Sequence, residues 1–218
     1  MKILKSEQYI GEKLNIKPVT KERLSDFFKE PNVDEKVREF IDEYNLKWNH
    51  RTKCYDCDGD VWVNENIVGN DKKLKIKFGY VKGNFVVDTK AKLKTLEGAP
   101  QEVGGFFMCS GNTIESLAGS PQKVGGHFQC SNNFLTSLRG APQEVGGNFS
   151  CQNNWELMSL RGSPQKIAGD FDCSYNKLLS LNGAPYEVGG NFICKGNKYE
   201  NIFPNEKPSW VKGEFITK

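Results

Sequence analysis

The chain has 218 residues, of which 37% are hydrophobic and 26% charged, with 22 glycines and a formal net charge of +3. So mild a charge excess gives no argument for nucleic acid or a membrane surface as partner. No apolar run approaches the roughly 20 residues of a membrane span, and the start, Met1-Lys-Ile-Leu-Lys-Ser-Glu-Gln8, breaks hydrophobicity too soon for a secretory signal.

Residues 1–53 read as an N-terminal helical cap or segment. The first eighteen, with Ile3, Leu4, Ile10, Leu14 and Ile16, form one short element. Thr20 can then cap a helix that places Leu24, Phe27 and Phe28 on one face, and Pro31 ends it. Asp34 can cap a second helix with Val37, Phe40, Ile41 and Tyr44 at helical spacing. Two short helices cannot make a self-sufficient core, so their apolar faces are expected to dock on the first rung of the repetitive region. The functional alternative for this stretch is a docking or packaging signal.

His50, Cys54 and Cys57, spaced His-x3-Cys-x2-Cys, form the one fragment that resembles a zinc site. A structural site wants four ligands, and the fourth is missing from the spacing. If Tyr55, Cys57, Gly59 and Val61 alternate as a strand, Cys54 and Cys57 face opposite sides and the site fails. Asp56, Asp58 and Asp60 hint at a calcium loop, but Ile67 stands where its bidentate Glu belongs.

From residue 54 to the end the chain is repetitive. Residues 54–95 hold degenerate turns, with Asp60-Val61-Trp62-Val63 and Val81-Lys-Gly-Asn-Phe85-Val-Val87 as strand-like segments. Residues 96–201 hold five near copies of L-x-G-[AS]-P-x-[EK]-[VI]-[GA]-G-x-F-x-C-x-x-N. They open at Leu96, Leu117, Leu138, Leu160 and Leu181, and Cys109, Cys130, Cys151, Cys173 and Cys194 mark the same place in each. The period is 21 residues, with one 22-residue step where Trp155 to Met158 hold an extra residue. Residues 202–218 carry a truncated copy, Pro208-Ser-Trp-Val211-Lys-Gly-Glu-Phe215, as a C-terminal cap. A fixed period in this range predicts one supersecondary unit stacked on itself, about eight rungs in all.

Within a copy, Phe128 and Cys130 are two apart and point to one side of a strand, with His127, Gln129 and Ser131 on the other. Phe and Cys are therefore core. Asn112, Asn133, Asn154, Asn176 and Asn197 recur three residues past each Cys, where buried amides can satisfy the turn, rung after rung. Pro in Gly-Ala/Ser-Pro excludes a long helix from the return path, leaving extended segments and turns. Seven cysteines, five of them on the repeat lattice, read as packing thiols in a reducing cytoplasm.

F-x-C-x-x-N-x-L-x-S-L resembles the L-x-L-x-x-N-x-L core of leucine-rich repeats in a short form. More narrowly, the copies resemble leucine-rich-repeat proteins of large tailed bacteriophages, over residues from about Asp56 to the C-terminus. Glu12-Lys-Leu-Asn-Ile-Lys-Pro-Val is similar to N-terminal segments of other phage proteins. The resemblance implies an α/β leucine-rich-repeat solenoid, with a parallel sheet on its concave face and a helix-poor convex side. It also implies a phage source, and it transfers no catalytic residues.

Alternation assigns the outward positions of that sheet: Trp62, Val86, Phe106, Met108, His127, Gln129, Asn148, Ser150, Asp170, Asp172, Asn191 and Ile193. They vary while the core columns repeat, as a recognition surface would. Trp62, Val86, Phe106 and Met108 make an apolar end and Asp170 with Asp172 a charged flank, unless the N-terminal helices cover Phe106 and Met108. Trp155 is a second anchor, provided it does not fold under its own bulge. The face carries few cations, which argues against nucleic acid. His127 and Cys130 point to opposite sides, and two histidines in all offer no Ser–His–Asp arrangement. The expectation is a non-enzymatic protein-binding protein without cofactor, metal, nucleic-acid or membrane partner. It would act on a host protein in the host cytoplasm, for example by inhibiting a defence or metabolic enzyme. The alternative is a virion-associated or assembly protein docked through its N-terminal segment.

Overall fold

The computed structural model describes residues 29–197, 204 and 206–217. Residues 1–18, the helix expected after Thr20 and the tail of the last regular copy lie outside them. The chain divides into the compact units Met1–Asn32 and Val33–Lys218, and the second unit carries the repeats.

That unit begins with α1 (Glu35–Glu43), the helix expected after Asp34. The Asp34 carboxylate accepts the Val37 amide at 3.0 Å and the Lys75 ammonium at 2.9 Å, so the cap fixes the helix start and ties it to a later turn. Val37, Phe40 and Ile41 are buried, and the Phe40 ring meets the edge of Phe78 at 6.5 Å between centroids.

Beyond α1 the chain coils through two sheets of eight strands each. Numbered along the chain, the first sheet orders β1 (Lys47–Asn49), β2 (Cys54–Cys57), β4 (Phe78–Val81), β6 (Glu102–Val103), β8 (Lys123–Val124), β10 (Glu144–Val145), β12 (Lys166–Ile167) and β14 (Glu187–Val188). The second orders β3 (Val61–Val63), β5 (Phe85–Val87), β7 (Phe107–Met108), β9 (Phe128–Gln129), β11 (Phe149–Ser150), β13 (Phe171–Asp172), β15 (Phe192–Ile193) and β16 (Phe215–Ile216). All pairings are parallel except the antiparallel β1–β2 hairpin. The result is a parallel-strand solenoid of about seven turns with few helices.

One sheet was expected and two are present. The return path is not a run of unpaired extended segments, because each Glu/Lys-Val pair is itself a hydrogen-bonded rung. Val103, Val124, Val145, Ile167 and Val188 point inward and are buried, while the charged residue before each points out. The pair of small residues after each apolar residue, Gly-Gly in four copies and Ala168-Gly169 after Ile167, turns the chain from one sheet to the other. A Cβ on Gly146 would run into the carbonyl oxygen of Gly125, so this corner stacks closely because it is nearly bare backbone.

The core between the sheets is built of columns. Phe85, Phe107, Phe128, Phe149, Phe171 and Phe192 stack with centroids 5.0–5.5 Å apart and ring planes within 14° of parallel. Phe78 closes this stack edge-on at one end and Trp210 at the other. Cys, Leu and Ile columns run beside it, buried except at Leu181, which is partly exposed. On the outside of the first sheet, Glu102, Lys123, Glu144, Lys166 and Glu187 stand in register, alternating in sign. Lys123–Glu102 (3.4 Å) and Lys166–Glu187 (3.9 Å) are ion pairs.

Candidate interaction surface

Two side-chain ladders run the length of the coil and decide which outward positions are free. The first is the buried asparagine column. Asn133 Nδ2 donates to the carbonyls of Cys130 (3.1 Å) and Cys109 (3.0 Å), and its Oδ1 accepts from Ile114 N. Asn154 and Asn197 repeat the pattern, and each carboxamide clips two turns together. Asn176 differs. Its Oδ1 takes the Asn154 amide at 2.8 Å, because the inserted residue turns Leu157 N back onto Asn154 O.

The second ladder was not anticipated. Asn84 Oδ1 accepts from Phe106 N, Asn148 Oδ1 from Asp170 N, Asp170 Oδ1 from Asn191 N and Asn191 Oδ1 from Glu214 N, at 2.7–2.9 Å. His127 joins through Nδ1, which accepts from Asn148 N at 2.8 Å. Asn, Asp and His differ as letters yet share an acceptor at the same reach. Their variation looked like recognition, whereas each satisfies a backbone amide at the corner. Phe106, which has no acceptor, interrupts the series.

The remaining expected positions divide. Trp62 is 53% exposed, and Phe106 and Met108 are half-buried. Val86, expected on the open face, is buried; it lies between Trp62 and Met108 in the strand register, and such same-face neighbours cover it. Gln129, Ser150 and Ile193 are half-buried on the same face. Ser150 shares its hydroxyl with Ser131 at 2.8 Å, and Asp172 accepts the Ser174 amide at 2.9 Å. The acidic flank is therefore partly turned to its own backbone.

The zinc fragment does not assemble. Cys54 to Cys57 is a strand, with the Cys54 thiol donating to Thr52 O and the Cys57 thiol to Tyr44 O. Among the described residues no three His, Cys, Asp or Glu side chains come together in a way that could hold a metal. All seven cysteines are free and buried. Burial pushes the thiols of Cys109, Cys130, Cys151 and Cys173 well above their usual range, so they are inert packing groups. No helix among the described residues is long and apolar enough to cross a membrane.

What the outward columns of the second sheet omit is a flank of the coil between the Asn column and the next Ser-Leu. Phe134 (54% exposed), Trp155 (67%), Met158 (48%) and Leu179 (48%) lie there, and Tyr175 (47%) borders it one residue before Asn176, on three consecutive turns. Trp155 does not fold under its bulge; the extra residue presents it to solvent. Comparison with family models, curated proteins and solved structures returns no match.

Proposed function

We propose that the chain is a non-enzymatic protein-binding solenoid of the leucine-rich-repeat type. In this reading α1 caps the first rung, and the outer face of the second sheet is the concave docking surface. The observation that carries it is the apolar end of that face. Trp62, Val86 and Met108 occupy neighbouring register positions, with Trp62 largely in water and Phe106 half-buried beside them. An aromatic placed on a sheet hydrogen-bonded to its neighbouring turns loses little entropy on binding, which suits an interface anchor. Catalysis has little to work with: the thiols are sealed, and the ring nitrogen of His127 that faces the chain is held by a backbone amide. The likeness of the repeats to those of phage proteins supports a host protein as the target and the host cytoplasm as the place of action.

The test is capture from host lysate by the wild type and by Phe106→Asp paired with Met108→Asp. The double variant should fold, as read by circular dichroism and melting, and should lose the captured protein. Unchanged capture moves the site off this face, and abundant copies in purified virions would favour the assembly role instead.

A further inference from the structure

Five of the eight large apolar side chains exposed among the described residues gather on one flank of three consecutive turns. Scattered exposed hydrophobes are ordinary; a gathered set is not. Two of the five are held there against local preference. Trp155 stands in the only step of the regular lattice that is one residue longer, and the Asn ladder is rerouted to take the insertion. Tyr175 sits in left-handed backbone at φ +56°, in a column whose other members are Gly111, Asn132, Asn153 and Gly196. Glycine and asparagine suit that conformation, and a bulky side chain there is strained. Its ring lies over Gly196, where a Cβ would collide with it. Strain retained at an exposed aromatic points to a use for the ring.

The charges around the patch are not balanced. Glu156 within it is already paired with Lys177 at 2.9 Å. Where the turns run on through Ser-Leu, Arg139 and Arg161 stand on successive turns, exposed and without an ion-pair partner among the described residues. Two like charges on neighbouring turns repel each other. An occupant bringing carboxylates relieves that repulsion, while its apolar side chains cover the patch.

We infer that this flank is a second docking surface, and that its partner is an acidic protein segment whose apolar anchors seat among Phe134, Trp155, Met158, Tyr175 and Leu179 while its carboxylates meet Arg139 and Arg161. The inference rests on the protein-binding reading but not on the sheet face as the site. Trp, Tyr and Arg are the residues that dominate interface hot spots, and the flank is where this chain exposes them together.

A displayed library of random short peptides, panned against the full chain, tests it. Enriched peptides should carry aromatic or aliphatic anchors next to Asp or Glu. Synthesised, they should bind Trp155→Ser and Phe134→Ser at least about tenfold more weakly, and their binding should weaken as salt rises. Arg139→Glu with Arg161→Glu should lose the acidic peptides and gain versions whose carboxylates are replaced by lysine. Peptides without acidic residues, or with undiminished affinity for Trp155→Ser, overturn the inference. Peptides lost only on Phe106→Asp with Met108→Asp overturn it too, yet leave the sheet-face reading standing; the converse pattern does the opposite. Concentration-dependent dimerisation abolished by Trp155→Ser would make the occupant a second copy and also overturn it.

Discussion

The Asn133 carboxamide reaches back 24 residues to the carbonyl of Cys109, at 3.0 Å. With the bond to its own turn and the acceptor for Ile114 N, it leaves no polar atom of that side chain idle. Asn133→Ala orphans the Ile114 amide inside the core and should cost about 1–3 kcal/mol in urea unfolding. Asn133→Asp keeps the shape but turns an acceptor toward two carbonyls, so it should be the more damaging of the pair. Equal effects would mean the amide donors are unimportant.

Phe149 is buried between Phe128 and Phe171 in the ring stack, with centroids at 5.2 and 5.4 Å. Truncation to alanine removes a ring that neighbours on both sides cannot collapse to replace. A loss of about 3–5 kcal/mol is expected in equilibrium unfolding; a near-neutral result would contradict the stack.

The cysteine column makes the protein sensitive to alkali. Folded thiols at Cys109, Cys130, Cys151 and Cys173 ionise well above their ordinary range, because burial disfavours the thiolate. The unfolded chain loses those protons first, so it binds fewer protons than the folded one and stability falls with rising pH. The stabilisation is complete below the ordinary thiol pKa and fades above about pH 8.5, by about 1.4 kcal/mol per pH unit for each thiol. Unfolding free energies from pH 7 to 10 should bend downward there, and Cys151→Ala should make the bend shallower. A flat profile would sink this account.

Alkylation is governed by the same burial. Cys54 keeps 6% of its surface exposed, whereas the column cysteines keep none. Iodoacetamide on the native protein should label Cys54 first and the column only at the rate of global unfolding, as peptide mass mapping would read. Early labelling of Cys130 would be incompatible with the sealed core.

Tyr175→Asn substitutes a residue that two sister positions already use in the same backbone conformation. It should leave stability unchanged or raise it by up to about 1 kcal/mol, as thermal melts would show. A marked loss would mean that the ring over Gly196 is structural.

Much of this architecture was legible in the period. The Phe-x-Cys alternation gave the inward columns, and Asn three residues later gave a turn amide, because burial and hydrogen bonding act alike on every copy. The first sheet was hidden because each of its regular rungs sits directly between a Pro turn and a glycine corner, with no Phe-x-Cys alternation to mark it as a strand. The corner ladder was hidden because Asn84, His127, Asn148, Asp170 and Asn191 share a function without sharing an identity. Once a backbone amide engages such a side chain, variation among acceptors says nothing about a partner. Trp155 and Tyr175 depart from the repeat itself, and there the lattice had to be broken before the exposure could be seen.

A coil made of near copies risks misthreading, since a turn that skips its neighbour finds an almost identical groove waiting. The sign alternation from Glu102 to Glu187 works against that error: a slip of one turn would seat Glu beside Glu and Lys beside Lys. Exposed ion pairs add little to the strength of a folded protein. As a parity code along the stack, they would guard the order in which its turns assemble.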